Sequence, residues 1–112
     1  MELVVTEHTI RIKIIKPTDR LAALEVPGAR KQLDQLLSEG ITNFVIDLSE
    51  TPFLDSAGMA VLVSLLKSAR QKGGTVKLVW PKREAVRRIL NLTKFDRVFN
   101  MVESVEEAVK NF

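Results

Sequence analysis

Cysteine is absent from the 112 residues, which excludes a disulfide, a thiolate metal site and a thiol nucleophile. A single histidine, His8, excludes a histidine cluster for zinc and leaves little scope for a Ser-His-Asp triad. Aromatic residues make up 5% of the chain, too few for the interleaved stacking of a single-strand nucleic-acid binder. Neither sign of charge dominates. Lys and Arg number 17 against 14 Asp and Glu, and a net +3 is too mild to argue for nucleic acid. Apolar runs fall far short of the roughly 20 residues that cross a bilayer, so no membrane insertion is expected. The start, MELVVTEH, has no basic segment followed by an apolar stretch, so it is not a signal peptide. What is present is a globular balance of 46% hydrophobic and 28% charged residues. The expectation is one cytoplasmic domain over residues 1–112, with no metal and no cofactor.

Alternation of apolar and polar residues is clearest at the start. Leu3 and Val5 alternate with Val4 and Thr6, and Ile10, Ile12 and Ile14 alternate with Arg11 and Lys13. With Glu7-His8-Thr9 between them, the pattern predicts two strands joined in a tight hairpin, ended by Pro17. Pro27 suits the first turn of a helix carrying Ala29, Leu33, Leu36 and Leu37, which Gly40 terminates. Asn43 to Leu48 has the mostly apolar composition of a strand buried on both faces. A long helix follows from about Ala57 to Gln71, with Met59, Leu62, Val63 and Leu66 on one stripe. Thr75 to Trp80 is the next strand. Lys82 to Leu92 is a helix with Val86, Ile89 and Leu90 inward, and Val98 to Val102 is a weak strand anchored by Phe95 and Phe99. Ser104 and Glu107 have capping-box spacing and open a last helix. The order ββαβαβαβα predicts a single-domain α/β sandwich, a mixed β-sheet with helices packed against it.

The segment Phe53-Leu54-Asp55-Ser56-Ala57-Gly58-Met59 holds the candidate site. Asp55 and Ser56 precede an apolar helical run, where each can accept hydrogen bonds from the free N–H groups of the first turn. Gly58 adds nothing to helix propensity, so its expected value is to leave the surface around Ser56 bare for another molecule. Two readings are open from the residues alone: a structural N-cap, or a phosphorylation site at the positive end of a helix dipole.

Val45-Ile46-Asp47-Leu48-Ser49 followed by Phe53 to Met59 resembles the signature of STAS domains, in particular bacterial anti-sigma factor antagonists. In that family an Asp-Ser-(Ser/Thr/Ala)-Gly-(Leu/Met) motif opens a helix after a buried strand, and the Ser accepts phosphate. Gly73-Gly74 before Val76 to Val79 also matches, as does the length. Asp19-Arg20-Leu21-Ala22 departs from the family's Gly-(Arg/Glu)-Leu-Asp at its first and last positions. The resemblance implies a phosphorylation-switched antagonist that sequesters an anti-sigma factor Ser/Thr kinase and frees its sigma factor. Phosphorylation at Ser56 would inactivate it, and a Ser/Thr phosphatase of the metal-dependent type would restore it. It also implies a partner-binding face of Asp55, Ser56, Ala57, Gly58 and Met59, with Asp19, Arg20 and Leu21 beside it. Two alternatives stay open: a non-switching STAS scaffold subunit of a signalling complex, and a STAS subunit of a lipid-transport ATPase complex.

No catalytic residue is expected. Ser56 is not in a Gly-x-Ser-x-Gly elbow, and Asp55, as an exposed carboxylate, is a poor general base. Asp47, within an apolar strand, must find hydrogen bonds, expected at the turn around Thr51 or in the Ser56 loop, as a structural support. Residues 67–88 hold eight basic side chains (Lys67, Arg70, Lys72, Lys77, Lys82, Arg83, Arg87 and Arg88) and one acidic one. They are read as a solvated face or as a dock for an acidic partner or phospholipid headgroup.

Overall fold

The computed structural model describes every residue from Met1 to Phe112. In chain order it contains β1 (Ile12–Ile15), α1 (Val26–Ser38), β2 (Asn43–Asp47), α2 (Ser56–Gln71), β3 (Thr75–Val79), α3 (Glu84–Leu92), β4 (Asn100–Val102) and α4 (Val105–Lys110). The expected first strand and its hairpin are not formed. Residues 1–11 belong to no regular element and all of them are exposed. The cause is local. A two-residue hairpin turn needs left-handed backbone at both central positions; in Glu7-His8-Thr9 only His8 adopts it with any ease, and β-branched Thr9 resists it.

Without that strand the sheet is parallel throughout, a correction to the expected mixed sheet. Its order is β1-β2-β3-β4, with Ile12 opposite Asn43, Asn43 opposite Thr75 and Lys77 opposite Asn100. Each crossover steps one strand in the same direction. Right-handed connections therefore put α1, α2 and α3 on one face. Packing follows this rule. Phe44, Ile46, Val76 and Leu78 meet Leu33 and Leu37 of α1, Leu62 and Leu66 of α2, and Val86 and Leu90 of α3 in one core. The opposite face is covered by α4, where Ala108 packs on Val45, Val79 and Val102.

Local chemistry sets the element ends. Pro27 lies in the first turn of α1, and Gly40 leaves that helix at φ +90°, a conformation in which a Cβ would be strained. On α2 the buried stripe is Gly58, Val61, Leu62, Leu65, Leu66 and Ala69. Met59 and Val63, expected on that stripe, are half-buried at its border. The Lys82-Arg83 pair precedes α3 rather than opening it. Phe95 and Phe99 are both buried, with ring centroids 4.9 Å apart, below a short 3-10 turn at Phe95–Arg97. Ser104 caps α4 by accepting from the Glu107 N–H at 3.1 Å, and Glu107 accepts from the Glu103 N–H at 3.0 Å.

The basic stretch does not form one solvated face. Lys77 is buried on β3; its ammonium donates to the carbonyls of Ala108 (3.0 Å) and Asn111 (2.8 Å) and lies over the Phe112 ring. Lys72 donates to the Leu37 carbonyl at 3.2 Å. Arg87 stacks on Trp80, donates to the Pro81 carbonyl at 3.2 Å and pairs with Glu103. Three of the eight cations thus serve the protein's own packing. Lys77→Met keeps the aliphatic stem but removes both charged hydrogen bonds. Urea unfolding should show a loss of about 2 kcal/mol, the scale of hydrogen bonds made by a charged group.

Candidate functional site

The site is built where α2 begins, between the β2–α2 loop and the β1–α1 loop. Asp55 is the N-cap of α2, with extended backbone at φ −111° and ψ −174°. Its Oδ1 accepts from the Gly58 N–H at 2.9 Å, and its Oδ2 accepts from the Ala23 N–H at 3.0 Å. One carboxylate therefore closes the first turn of α2 and fastens the other loop to it. The loops also pair directly: the Leu21 N–H donates to the Phe53 carbonyl at 2.9 Å, and Leu21 bridges Leu54 in parallel. The Gly58 N–H bond, aided by the Ala23 and Ala57 N–H groups, holds the Asp55 carboxyl below the usual carboxylate range despite some desolvation.

Gly58 has a different reason from the one expected. It is buried, and a Cβ there would lie 2.0 Å from the Leu21 carbonyl oxygen and 2.7 Å from Leu54 Cδ1. The molecule that approaches this backbone closely is the chain's own β1–α1 loop. Gly58 lies beneath the face rather than on it.

Ser56 is the first residue of α2 and is exposed. It is not the cap; that work falls to Asp55. Ala57 and Met59 are half-buried beside it, and Thr93 of the segment after α3 approaches Met59 Sδ at 4.0 Å. On the other loop Asp19 and Arg20 are exposed and Leu21 is buried. Asp19 Oδ1 accepts from the Arg20 N–H at 2.7 Å, and Arg20 Nε is shared by both Glu25 oxygens at 3.1 Å. The sequence-predicted residues are thus brought together at one end of α2, with Ser56, Asp19 and Arg20 most accessible.

Sequence reasoning did not foresee how exposed two apolar residues of these loops are. Phe53, whose carbonyl accepts from the Leu21 N–H, is 45% exposed, and Leu24, next to the Ala23 that Asp55 holds, is 80% exposed. Missed as well was a groove of about 510 Å³ between β1 and α1, whose rim includes Asp19, Arg20 and Leu24. Its floor draws on Ile15, Leu33 and Ile46, separated by 31 positions at most in sequence, and periodicity alone does not reveal such a gap.

Asp47 is buried and supports the turn around Thr51, the first of its two expected places. Its Oδ1 accepts from the Ser49 N–H at 3.0 Å. Fully buried Thr51 then donates its hydroxyl to the Pro17 carbonyl at 3.0 Å, tying this turn to the end of β1. Lys16 and Glu50 pair across the same junction, and that hydrogen bond raises the Lys16 pKa.

The STAS domain model matches residues 3–108, nearly all of the chain. The chain belongs to the STAS domain family. It is 35% identical over 77 residues to a Thermotoga maritima protein provisionally named an anti-sigma factor antagonist, an alignment covering 69% of this chain and 67% of that one. A crystal structure of a Thermotoga maritima protein, also provisionally so named, matches this STAS domain with a TM-score of 0.82 and 30% identity. That match covers 91% of this chain and 89% of the other. The unphosphorylated form of the anti-sigma factor antagonist SpoIIAA shares the fold, with a TM-score of 0.70 at 17% identity over 95% of this chain and 92% of that one. No helix of this STAS domain is long and apolar enough to cross a membrane.

Two glycines should respond to alanine with opposite signs. Gly58→Ala drives a methyl into the Leu21 carbonyl and should destabilise by about 2–3 kcal/mol or more, the scale of overpacking a closed site. Gly28→Ala, in α1 with nothing within 4 Å of the new methyl, should stabilise by about 0.5–1 kcal/mol. Paired urea denaturations check both. The lowered Asp55 pKa carries its own sign. Its contribution is complete above the ordinary carboxylate value of about 3.9 and is lost as pH falls through the lower folded value. Asp55→Ala should therefore be less stable at pH 7 and show a shallower loss of stability below about pH 4, read from unfolding midpoints across an acid series.

Proposed function

We propose that this STAS domain is an anti-sigma factor antagonist switched by phosphorylation of Ser56. The observation that carries the reading is the division of labour at the start of α2. Asp55 caps the helix, so the exposed Ser56 hydroxyl is free to be modified without loss of the cap. Similarity to anti-sigma factor antagonists, one of which is described in an unphosphorylated form, supports it.

In this reading the unmodified domain binds an anti-sigma factor that is also a Ser/Thr kinase, and so releases the sigma factor. The docking face centres on Ser56, with Met59, Ala57 and Asp55 around it. Phe53 and Leu24 supply apolar contact, and Asp19 and Arg20 form the polar border. Asp55 and Gly58 act from below by holding the two loops in register. The kinase supplies the base and the phosphoryl donor, so no intrinsic catalysis is required of the chain.

A phosphate on Ser56 adds nearly two negative charges at the positive end of a 16-residue helix. The helix tolerates it, so the fold stays intact. The interface does not, because an unmatched anion buried on docking typically costs several kcal/mol. Dephosphorylation by a metal-dependent Ser/Thr phosphatase reverses the change.

Incubation with ATP and a binding anti-sigma kinase should phosphorylate the chain on Ser56, as mapped by phosphopeptide mass spectrometry. Ser56→Ala should bind the kinase about as tightly as the wild type, resist modification and keep its stability within about 0.5 kcal/mol, because Ser56 is not the cap. Ser56→Asp should bind at least about tenfold more weakly, a difference of about 1.4 kcal/mol. Equal binding by Ser56→Asp, measured by calorimetry, would refute the charge switch.

A further inference from the structure

The three helices of the larger core leave their last turns in the same way. The residue after each C-cap takes left-handed backbone: Gly40 at φ +90° after α1, Gly73 at φ +83° after α2, and Lys94 at φ +58° after α3. Glycine enters that region freely, whereas a Cβ there crowds the following carbonyl oxygen. Lys94 is the chain's only non-glycine residue with positive φ. Nothing in the fold compensates for it. The residue is exposed, and its ammonium pairs with no carboxylate of the chain.

This lysine adjoins the start of α2. Thr93, the residue before it, has its Oγ1 4.0 Å from Met59 Sδ. Met59, one turn beyond Ser56, is the neighbour of Ser56 on the surface of α2. On the other side of Thr93, Leu92 is 75% exposed. The segment that leaves α3 therefore borders the Ser56 surface with a bare apolar side chain and a cation. Arg20, the cation on the β1–α1 loop, is engaged by both Glu25 oxygens. Lys94 is not engaged at all.

We propose that Lys94 is a specificity-determining residue of the docking face, held out to pair with a carboxylate on the anti-sigma kinase. This role rests on the reading of Ser56 as the centre of that face. It adds what the partner must present: an acidic group at the border, beside an apolar patch that receives Leu92. A side chain kept in costly backbone with no contact of its own places function ahead of stability. An ion pair at such a border selects the partner and speeds encounter more than it tightens the complex. It also bears on the switch. A phosphate on Ser56 would draw on the same ammonium and repel the same carboxylate, so modification weakens docking in two ways.

Calorimetry of the unmodified domain with an anti-sigma kinase, at low and at physiological salt, tests this. Lys94→Asn removes the charge and supplies a residue that enters left-handed backbone readily. At physiological salt it should bind about three- to fivefold more weakly, the range of an exposed ion pair. Its affinity should also fall less than that of the wild type as salt rises. Its urea midpoint should lie above the wild type's, an opposite sign that no purely structural role produces. Arg70→Asn removes an equal charge in the last turn of α2, about 21 Å along the helix from Ser56. At physiological salt, where charges more than about 8 Å apart are screened, it should change binding by less than about twofold. A Lys94→Asn chain that binds as tightly as the wild type, or loses no more than Arg70→Asn, would overturn the proposal and leave the Ser56 reading standing. So would a urea midpoint below the wild type's, since the lysine would then be kept for the fold. A wild type that no anti-sigma kinase binds would overturn both.

Discussion

The two oxygens of Asp55 hold together parts of the chain that are 32 residues apart. One oxygen ends the unsatisfied N–H row of α2, and the other captures Ala23 in the preceding crossover. Because both bonds come from one rigid group, the loops cannot shift relative to the helix without losing a cap. The same closeness forbids a side chain at position 58, since the Leu21 carbonyl occupies that space. Everything exposed at this end of the molecule, Ser56 included, is mounted on that junction. A surface made from two loops thereby gains the fixity normally found on a helix or strand.

A second constraint is topological. Strands laid down in sequence order, all parallel, send each right-handed crossover to the same side. Three helices then build a large core on one face, and the other is left to whatever follows the last strand. Here that is a helix of six residues. The two faces differ in thickness for this reason rather than through any difference in strand composition, since Phe44 and Val45 are equally buried on opposite sides of β2.

Much of this was legible in the sequence. The helices were marked by Pro27, Gly40 and the Ser104–Glu107 pair, and the buried strands by their apolar runs, because those signals are local. The motif that opens α2 was readable for the same reason. What was not legible depended on contacts distant in sequence. Lys77 reads as one of a row of surface cations, yet strand alternation and the arrival of the last helix bury it against two carbonyls. Gly58 reads as a clearing for a visitor because nothing in its neighbours names Leu21. The exposure of Phe53 and Leu24 was not legible either, because only the fold decides which loop apolars stay uncovered. The misread hairpin is instructive in another way: alternation of apolar residues was weighed, and the turn chemistry of Glu7-His8-Thr9 was not.

The thin second face has a dynamic consequence. Six residues are well below the length at which a helix holds in water without help, about 12–15, so α4 persists through Ser104, Ala108 and the Lys77 ammonium. It is the natural first unit to open, at a free energy below that of the whole domain. Its amides would exchange with solvent early, while those of β2, β3 and the middle of α2 would wait for global unfolding. Each such opening uncovers Val45, Val79 and Val102 and returns the Lys77 charge to water. The sheet thus has one side that stays closed for as long as the chain is folded and another that breathes.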